Sequence, residues 1–171
     1  MLDNNRKIKL LAIVVSLAMA GFTANVVKAS DISSVDNKES VVISITTDPT
    51  KDPEPACVAL QIGRNLLSNI QGMSIPVDEV TVVLTTGGVE LINPDSKIHK
   101  KNPKLVCTTS AGINTASLKE LLGVFQGLGG SIVTCPLCAT SRGITEPTDG
   151  VIGNSLSIHN LFLYADKVLT F

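Results

Sequence analysis

Four short runs rich in β-branched and aliphatic residues recur along the chain, and stretches with a helical pattern separate them. The runs cover residues 41–46, 79–85, 131–134 and 167–171. Such short apolar runs are typical of strands buried on both faces of a parallel sheet. The alternation of strand and helix therefore predicts an α/β fold, a small doubly wound, mostly parallel sheet with helices on both faces.

Two of the separating stretches carry specific helix signals. Pro55 suits a helix N-terminus and the X-Pro steps before it exclude an earlier start, so the first helix is predicted from residue 55 to about residue 69. Its predicted apolar face comprises Val58, Ile62, Leu66 and Ile70. Ser117 and Glu120 form a capping-box pattern at the start of the second helix. Because a helix joins the first two strands, those strands should be parallel, with a right-handed crossover.

The composition favours one domain with an aliphatic core. A chain of 171 residues with 44% hydrophobic content can bury one core of useful size. Aromatic residues make up only 3% of the chain and Trp is absent, so Val, Leu and Ile must fill that core. We predict a single domain over residues 41–171, preceded by a flexible leader at 30–40.

The first 29 residues have the pattern of a cleavable signal peptide. Arg6, Lys7 and Lys9 form a basic start, residues 10–22 are apolar, and small residues lead to a cleavage site after Ala29. The apolar run is shorter than the roughly 20 residues that a spanning helix needs. The sequence therefore predicts export across the cytoplasmic membrane into the periplasm, with no stable membrane insertion after cleavage.

The charge argues against nucleic acid as a partner. Loss of residues 1–29 leaves ten Lys and Arg against fourteen Asp and Glu, a net charge of −4. A mildly acidic domain with one Tyr offers neither phosphate neutralisation nor a stacking platform for bases.

A C-x-x-C motif, Cys135 and Cys138, follows the third predicted strand. Pro136 can open a helix there, with Cys135 as its N-cap residue, and the free N–H groups of a helix start favour a reactive thiolate. Cys138 lies one turn along and can attack a sulfur carried by Cys135. Two chemistries follow: a persulfide on Cys135 that is passed on, or cycling between dithiol and disulfide. The alternative to both chemistries is an inert disulfide between the two cysteines.

A metal or other cofactor is not expected. His99 or His159 would have to complete a ligand set with the C-x-x-C motif. A single C-x-x-C without a second pair is a weak zinc signal, so we rank metal binding lowest.

Several segments resemble the DsrE/DsrF/TusD family of sulfur-relay proteins. They are the opening strand at 41–46, the helix at 59–67, the strand and Gly-Gly turn at 80–89, the strand at 130–135 with Arg142-Gly143 after it, and the end at 165–171. The resemblance implies a small doubly wound α/β domain that associates into trimers or hexamers. It also implies that Cys135 accepts sulfur, with donor and acceptor proteins, small thiols or polysulfide as partners. The export signal, Cys138 and the polar insertion at 93–114 depart from the relay members.

The sequence leaves two interpretations open for each of the other site candidates. Arg142 can either complement the helix dipole or neutralise a bound sulfur anion. Thr86, Gly87 and Gly88 can form a tight turn or bring their backbone close to an anion.

The two remaining cysteines, Cys57 and Cys107, are predicted to pair. A bridge between them would pin the insertion over the site, and the alternative is a buried and a surface thiol. The sequence thus supports two function classes. One is an exported thiol protein that accepts and passes on sulfur or redox equivalents at Cys135, with Cys138 as the resolving thiol. The other is a non-catalytic binding module with the same fold and locked cysteines.

Overall fold

The computed structural model describes residues 39–68, 77–100, 105–108 and 115–171. The predicted signal peptide and nearly all of the predicted leader lie outside these residues, so both stay predictions. None of the helices within the described ranges is long and apolar enough to cross a bilayer.

A five-stranded sheet forms the centre of the fold. Its strands are β1 (Glu39–Ile45), β2 (Val77–Leu84), β5 (Ser131–Thr134), β6 (Val151–Ile152) and β7 (Lys167–Thr170). They lie side by side in the order β6-β5-β2-β1-β7, and every pairing between them is parallel. The central strands β1 and β2 are buried over residues 41–45 and 80–84, as apolar runs in a sheet covered on both faces should be. The predicted fold class is confirmed.

In the described part of the chain, four α-helices accompany the sheet. They are α1 (Glu54–Ser68), α2 (Leu118–Gly127), α3 (Pro136–Thr140) and α4 (Ser155–Tyr164). Ser117 caps α2 and shares a full capping box with Glu120, as predicted. The core joins α1 and α2 to one face of the sheet, where Ile43, Val82 and Leu84 point. On the other face, a cavity of about 530 Å³ separates α4 from the sheet residues Val42, Thr81 and Val133. The helices therefore lie on both faces.

The buried face of α1 differs from the prediction. Val58 is 41% exposed, whereas the buried residues of the helix are Ala56, Cys57, Ala59, Leu60 and Gly63. Small residues are buried because α1 packs closely on α2: a Cβ added at Gly63 would lie 2.8 Å from the Phe125 ring. Ile62 and Leu66 pack at the border of the core, and Ile70 lies outside the described residues.

The insertion at 93–114 contains more structure than its polar sequence indicates. A 3₁₀ turn, Lys97–His99, buries Ile98 completely. Further on, β3 (Val106–Thr108) pairs antiparallel with β4 (Thr115–Ser117). Residues 101–104 and 109–114 lie outside the described ranges. Strands of three residues are too short to produce a recognisable sequence pattern.

Candidate active site

The carboxyl ends of three neighbouring strands meet at one edge of the sheet. The backbone N–H of Thr85, after β2, donates to the carbonyl of Ile45 at the end of β1 (3.1 Å). The N–H of Cys135, after β5, donates in turn to the carbonyl of Leu84 (2.9 Å). In open α/β sheets, ligands bind beyond this edge. The structure thus brings the C-x-x-C motif next to the Thr-Gly-Gly turn.

Cys135 and Cys138 occupy the strand-to-helix junction that the sequence predicts. Cys135 is the N-cap residue of α3, and Pro136 lies in the first turn of that helix. Both cysteines carry free thiols and are half-buried. However, α3 has only five residues, so its dipole is small. The predicted stabilisation of a thiolate by the helix start therefore has little support in the structure, and the other contacts of the two sulfurs become more important.

Cys138 is the sulfur with the specific contacts. The backbone N–H of Thr86 donates to its Sγ at 3.2 Å. Burial raises the pKa of the Cys138 thiol above its ordinary value, and a hydrogen bond with Cys135 raises it further. The N–H of Thr86 and the guanidinium of Arg142 lower that pKa by less. At neutral pH Cys138 is thus a protonated thiol beside Cys135.

Thr86 reaches Cys138 through an unusual backbone conformation. Its φ is +44°, and it is the one non-glycine residue with positive φ in the described part of the chain. For a β-branched residue this region costs about 1–2 kcal/mol. The Thr86 hydroxyl donates to the carbonyl of Thr46 at 2.6 Å, which helps to hold the strained conformation.

Gly87 and Gly88 allow the same turn to pack closely against the end of β1. A Cβ added at Gly87 would lie 2.7 Å from the backbone nitrogen of Asp48, and one at Gly88 would lie 2.1 Å from the carbonyl oxygen of Ile45. The N–H groups of both glycines donate to the Thr46 carbonyl (3.0 and 3.2 Å). Because these donors are already paired, the structure favours the tight turn over an anion cradle.

Arg142 is engaged by a carboxylate. Its Nε lies 3.4 Å from Oε1 of Glu90, in the 3₁₀ helix Thr86–Leu91 that follows β2, and the other oxygen of Glu90 accepts from the Asn93 amide at 2.9 Å. The Arg142 guanidinium also lies 3.5 Å from the Cys138 carbonyl oxygen. Arg142 is therefore next to the thiol pair, but Glu90 neutralises much of its charge.

The structure joins Cys57 to Cys107 by a disulfide bond, with their Cα atoms 5.5 Å apart. Cys57 lies in the first turns of α1 and Cys107 in β3, and both are buried in the main core. The bridge thus fastens the insertion to α1. Both of its sulfurs belong to the core, and Cys135 and Cys138 remain free thiols.

No family model and no curated protein matches this sequence. The structure, by contrast, is similar to the crystal structure of the YchN protein from E. coli, which has a DsrE-like fold. The TM-score is 0.56 at 19% sequence identity, over 78% of this chain and 99% of that chain. The fold is DsrE-like. At this identity the similarity shows the fold alone, so the predicted resemblance is confirmed at that level.

Neither histidine is placed with the cysteines as a ligand set. Nε2 of His99 lies 2.8 Å from the Leu91 carbonyl oxygen and 3.2 Å from the Thr148 hydroxyl. His159 is an exposed residue of α4. Within the described ranges, no group of His, Cys, Asp and Glu side chains could hold a metal ion.

Two contacts of the site are not indicated by the sequence. The Thr86 N–H bond to Cys138 depends on a positive φ at a threonine, which no sequence pattern indicates. The pairing of Glu90 with Arg142 joins residues 52 positions apart. The only sequence feature that could indicate this pair is the charge of Glu90. Isolated surface charges are too common to predict a specific ion pair.

Proposed function

We propose that this protein is a thiol protein that accepts sulfur or redox equivalents at Cys135 and completes the exchange with Cys138. One observation carries the proposal. Two free thiols, within one helical turn of each other, lie at the edge of a DsrE-like sheet where ligands usually bind. The alternative, a binding module with locked cysteines, requires this pair to be oxidised or inaccessible, whereas both thiols are free and half-buried.

In the first step, the thiolate of Cys135 attacks the outer sulfur of a persulfide or polysulfide donor. A new S–S bond forms on Cys135, the S–S bond of the donor breaks, and its electron pair leaves with the donor thiolate. Cys135 then carries a persulfide. An acceptor thiolate that attacks the outer sulfur takes it over and regenerates the Cys135 thiolate.

Cys138 offers a second outcome. Its thiolate attacks the inner sulfur on Cys135, which forms the Cys135–Cys138 disulfide and releases hydrosulfide. Two external thiols then reduce this disulfide and become a disulfide themselves. The raised pKa of Cys138 supports this division of labour, because a protonated Cys138 attacks slowly and leaves time for transfer.

Intact-mass measurement after brief exposure to polysulfide tests the proposal. The reduced wild-type protein should gain the mass of added sulfur, Cys135→Ser should gain none, and Cys138→Ser should keep the adduct longer. The double variant Cys57→Ala/Cys107→Ala, in samples that circular dichroism shows to be folded, is the matched control and should take up sulfur at Cys135 as the wild type does. Sulfur uptake by Cys135→Ser would overturn the assignment, and failure of the wild type to take up sulfur or to form the Cys135–Cys138 disulfide would favour the binding module.

We further propose that the protein acts in the periplasm, which is an oxidising compartment. The predicted signal peptide supports this, and so does the buried Cys57–Cys107 disulfide, because such bridges persist mainly outside the cytoplasm. Fractionation of cells that express the full chain would test the location. Recovery of the uncleaved chain in the cytoplasm would contradict it.

We also propose that the chain forms a homo-oligomer. Leu156, Leu163 and Tyr164 on α4 are 61–77% exposed, and α4 buries no residue completely. Large apolar side chains on one helix are typical of a surface covered by a partner. Sedimentation velocity should therefore give a mass above that of one chain, and a monomer at all concentrations would refute this.

A further inference from the structure

Thr86 is the point where three elements of the site are tied together. It follows β2, its hydroxyl binds the end of β1 at Thr46, and its backbone N–H binds the first turn of α3 at Cys138. The close packing of Gly87 and Gly88 leaves the turn little room to shift towards β1. The direction of the Thr86 N–H is therefore fixed by the fold.

The residue type at position 86 is not the one that its backbone conformation favours. A left-handed φ favours glycine, and the next two residues are glycines, yet position 86 holds a β-branched residue. A glycine would avoid the strain but would lack the hydroxyl that binds Thr46. The strained residue therefore supplies a rigid attachment that a glycine could not.

We propose that Thr86 is a positioning residue whose side chain holds its own N–H on the Cys138 sulfur, and that this bond helps Cys138 to leave as a thiolate when an external thiolate attacks Sγ of Cys135 in a Cys135–Cys138 disulfide. This inference rests on the proposed function. The incoming thiolate, from a small or protein thiol, forms a bond to Sγ of Cys135. The Cys135–Cys138 bond breaks and its electron pair goes to Sγ of Cys138, and the Thr86 N–H donates a hydrogen bond to the new thiolate.

The Thr86 N–H acts on the negative charge that Cys138 carries when the disulfide breaks. A disulfide breaks faster towards a sulfur whose thiolate is better stabilised. Burial disfavours the Cys138 thiolate, and the Thr86 N–H bond and the nearby Arg142 guanidinium offset part of that effect. Loss of the Thr86 bond should therefore slow the release of Cys138.

The ionisation of Cys138 gives the direct test. In a Cys135→Ser background, thiolate absorbance during a pH titration reports Cys138 alone, because Cys57 and Cys107 are joined. Thr86→Val keeps the shape but removes the hydroxyl, and it should move the midpoint upward by about one pH unit. Thr86→Ser keeps the hydroxyl and should restore the original midpoint. Thr85→Val is the matched control at the neighbouring threonine and should have no effect.

Thr86→Gly separates positioning from strain. If Thr86 matters only as a strained residue, glycine relieves the strain and leaves the midpoint unchanged. If its side chain holds the N–H in place, glycine raises the midpoint as valine does, although the protein stays folded by circular dichroism. Equal midpoints for the Val, Gly and Ser variants would overturn the inference.

The rate of disulfide reduction, measured in protein that keeps both Cys135 and Cys138 and has them joined, completes the test. Reduction of the Cys135–Cys138 disulfide by 2-mercaptoethanol should slow several-fold in Thr86→Val and recover in Thr86→Ser. An unchanged rate would contradict the role of Cys138 as the leaving group. The proposed sulfur uptake is measured separately with polysulfide, so its failure would not be mistaken for a failure of this inference.

Discussion

Loss of the Cys57–Cys107 disulfide should lower the free energy of unfolding by about 4 kcal/mol at most. The bridge closes a loop with a sequence separation of 50 residues. In the chain-entropy model, closing a loop of that length removes this much conformational freedom from the unfolded chain. For a domain whose total stability is about 5–15 kcal/mol, the loss would be severe.

The expected loss of unfolding free energy depends on the burial of the two sulfurs. Cys57 and Cys107 are 8% and 3% exposed. A reduced thiol behaves as a small apolar group and tolerates this environment, so reduction adds little penalty beyond the lost cross-link. Serine substitution, by contrast, would bury unpaired hydroxyls and overstate the effect.

Urea unfolding with and without a strong reductant measures the effect. The experiment uses the Cys135→Ala/Cys138→Ala background, so that reductant acts on the Cys57–Cys107 bridge alone. We also expect the melting temperature to fall by on the order of 15 °C. A decrease in unfolding free energy below about 1 kcal/mol would refute the argument, because it would mean that the unfolded chain gains little freedom on reduction.

Four further predictions concern the thiol pair, the turns beside it and helix α2. Gly88→Ala should destabilise the domain by about 2–3 kcal/mol or more in urea unfolding, because the added methyl would lie 2.1 Å from a backbone carbonyl oxygen. Gly123→Ala in α2, which meets nothing within 4 Å, should instead stabilise it by about 0.5–1 kcal/mol. Burial raises the Cys138 pKa above its ordinary value, so release of hydrosulfide from the persulfide form should rise about tenfold per pH unit from neutral pH through the range in which an ordinary thiol titrates. A plateau near pH 7 would refute the raised pKa. Glu90→Gln should free the Arg142 guanidinium and increase reaction with anionic disulfides several-fold relative to neutral ones at low salt, and equal rates would show that the ion pair does not select by charge.

The parallel sheet was predictable because its signals are local. Buried parallel strands need continuous β-branched runs, and the runs near residues 41 and 80 became β1 and β2. The capping box at Ser117 and the proline after Cys135 also act on adjacent backbone groups. Such features depend on neighbours in sequence, so the sequence alone contains them.

The missed features depend on distant packing. The buried face of α1 is set by Phe125 against Gly63 rather than by the largest apolar residues of the helix. The contact of Thr86 with Cys138 joins positions 52 residues apart. The Cys57–Cys107 pairing was predicted, but the sequence could not separate it from two unpaired thiols, because the short strand β3 that brings Cys107 to α1 has no recognisable sequence pattern.

The order of the four cysteines along the chain has a consequence for biosynthesis. Cys57 and Cys107 both precede Cys135 and Cys138. A chain that emerges from its amino end exposes the two structural partners to oxidants before the reactive pair appears. The correct bridge can then form while no competing thiol is present. A circular permutant that presents Cys135 and Cys138 first would lose this temporal separation, and we expect it to yield more mispaired product during oxidative folding.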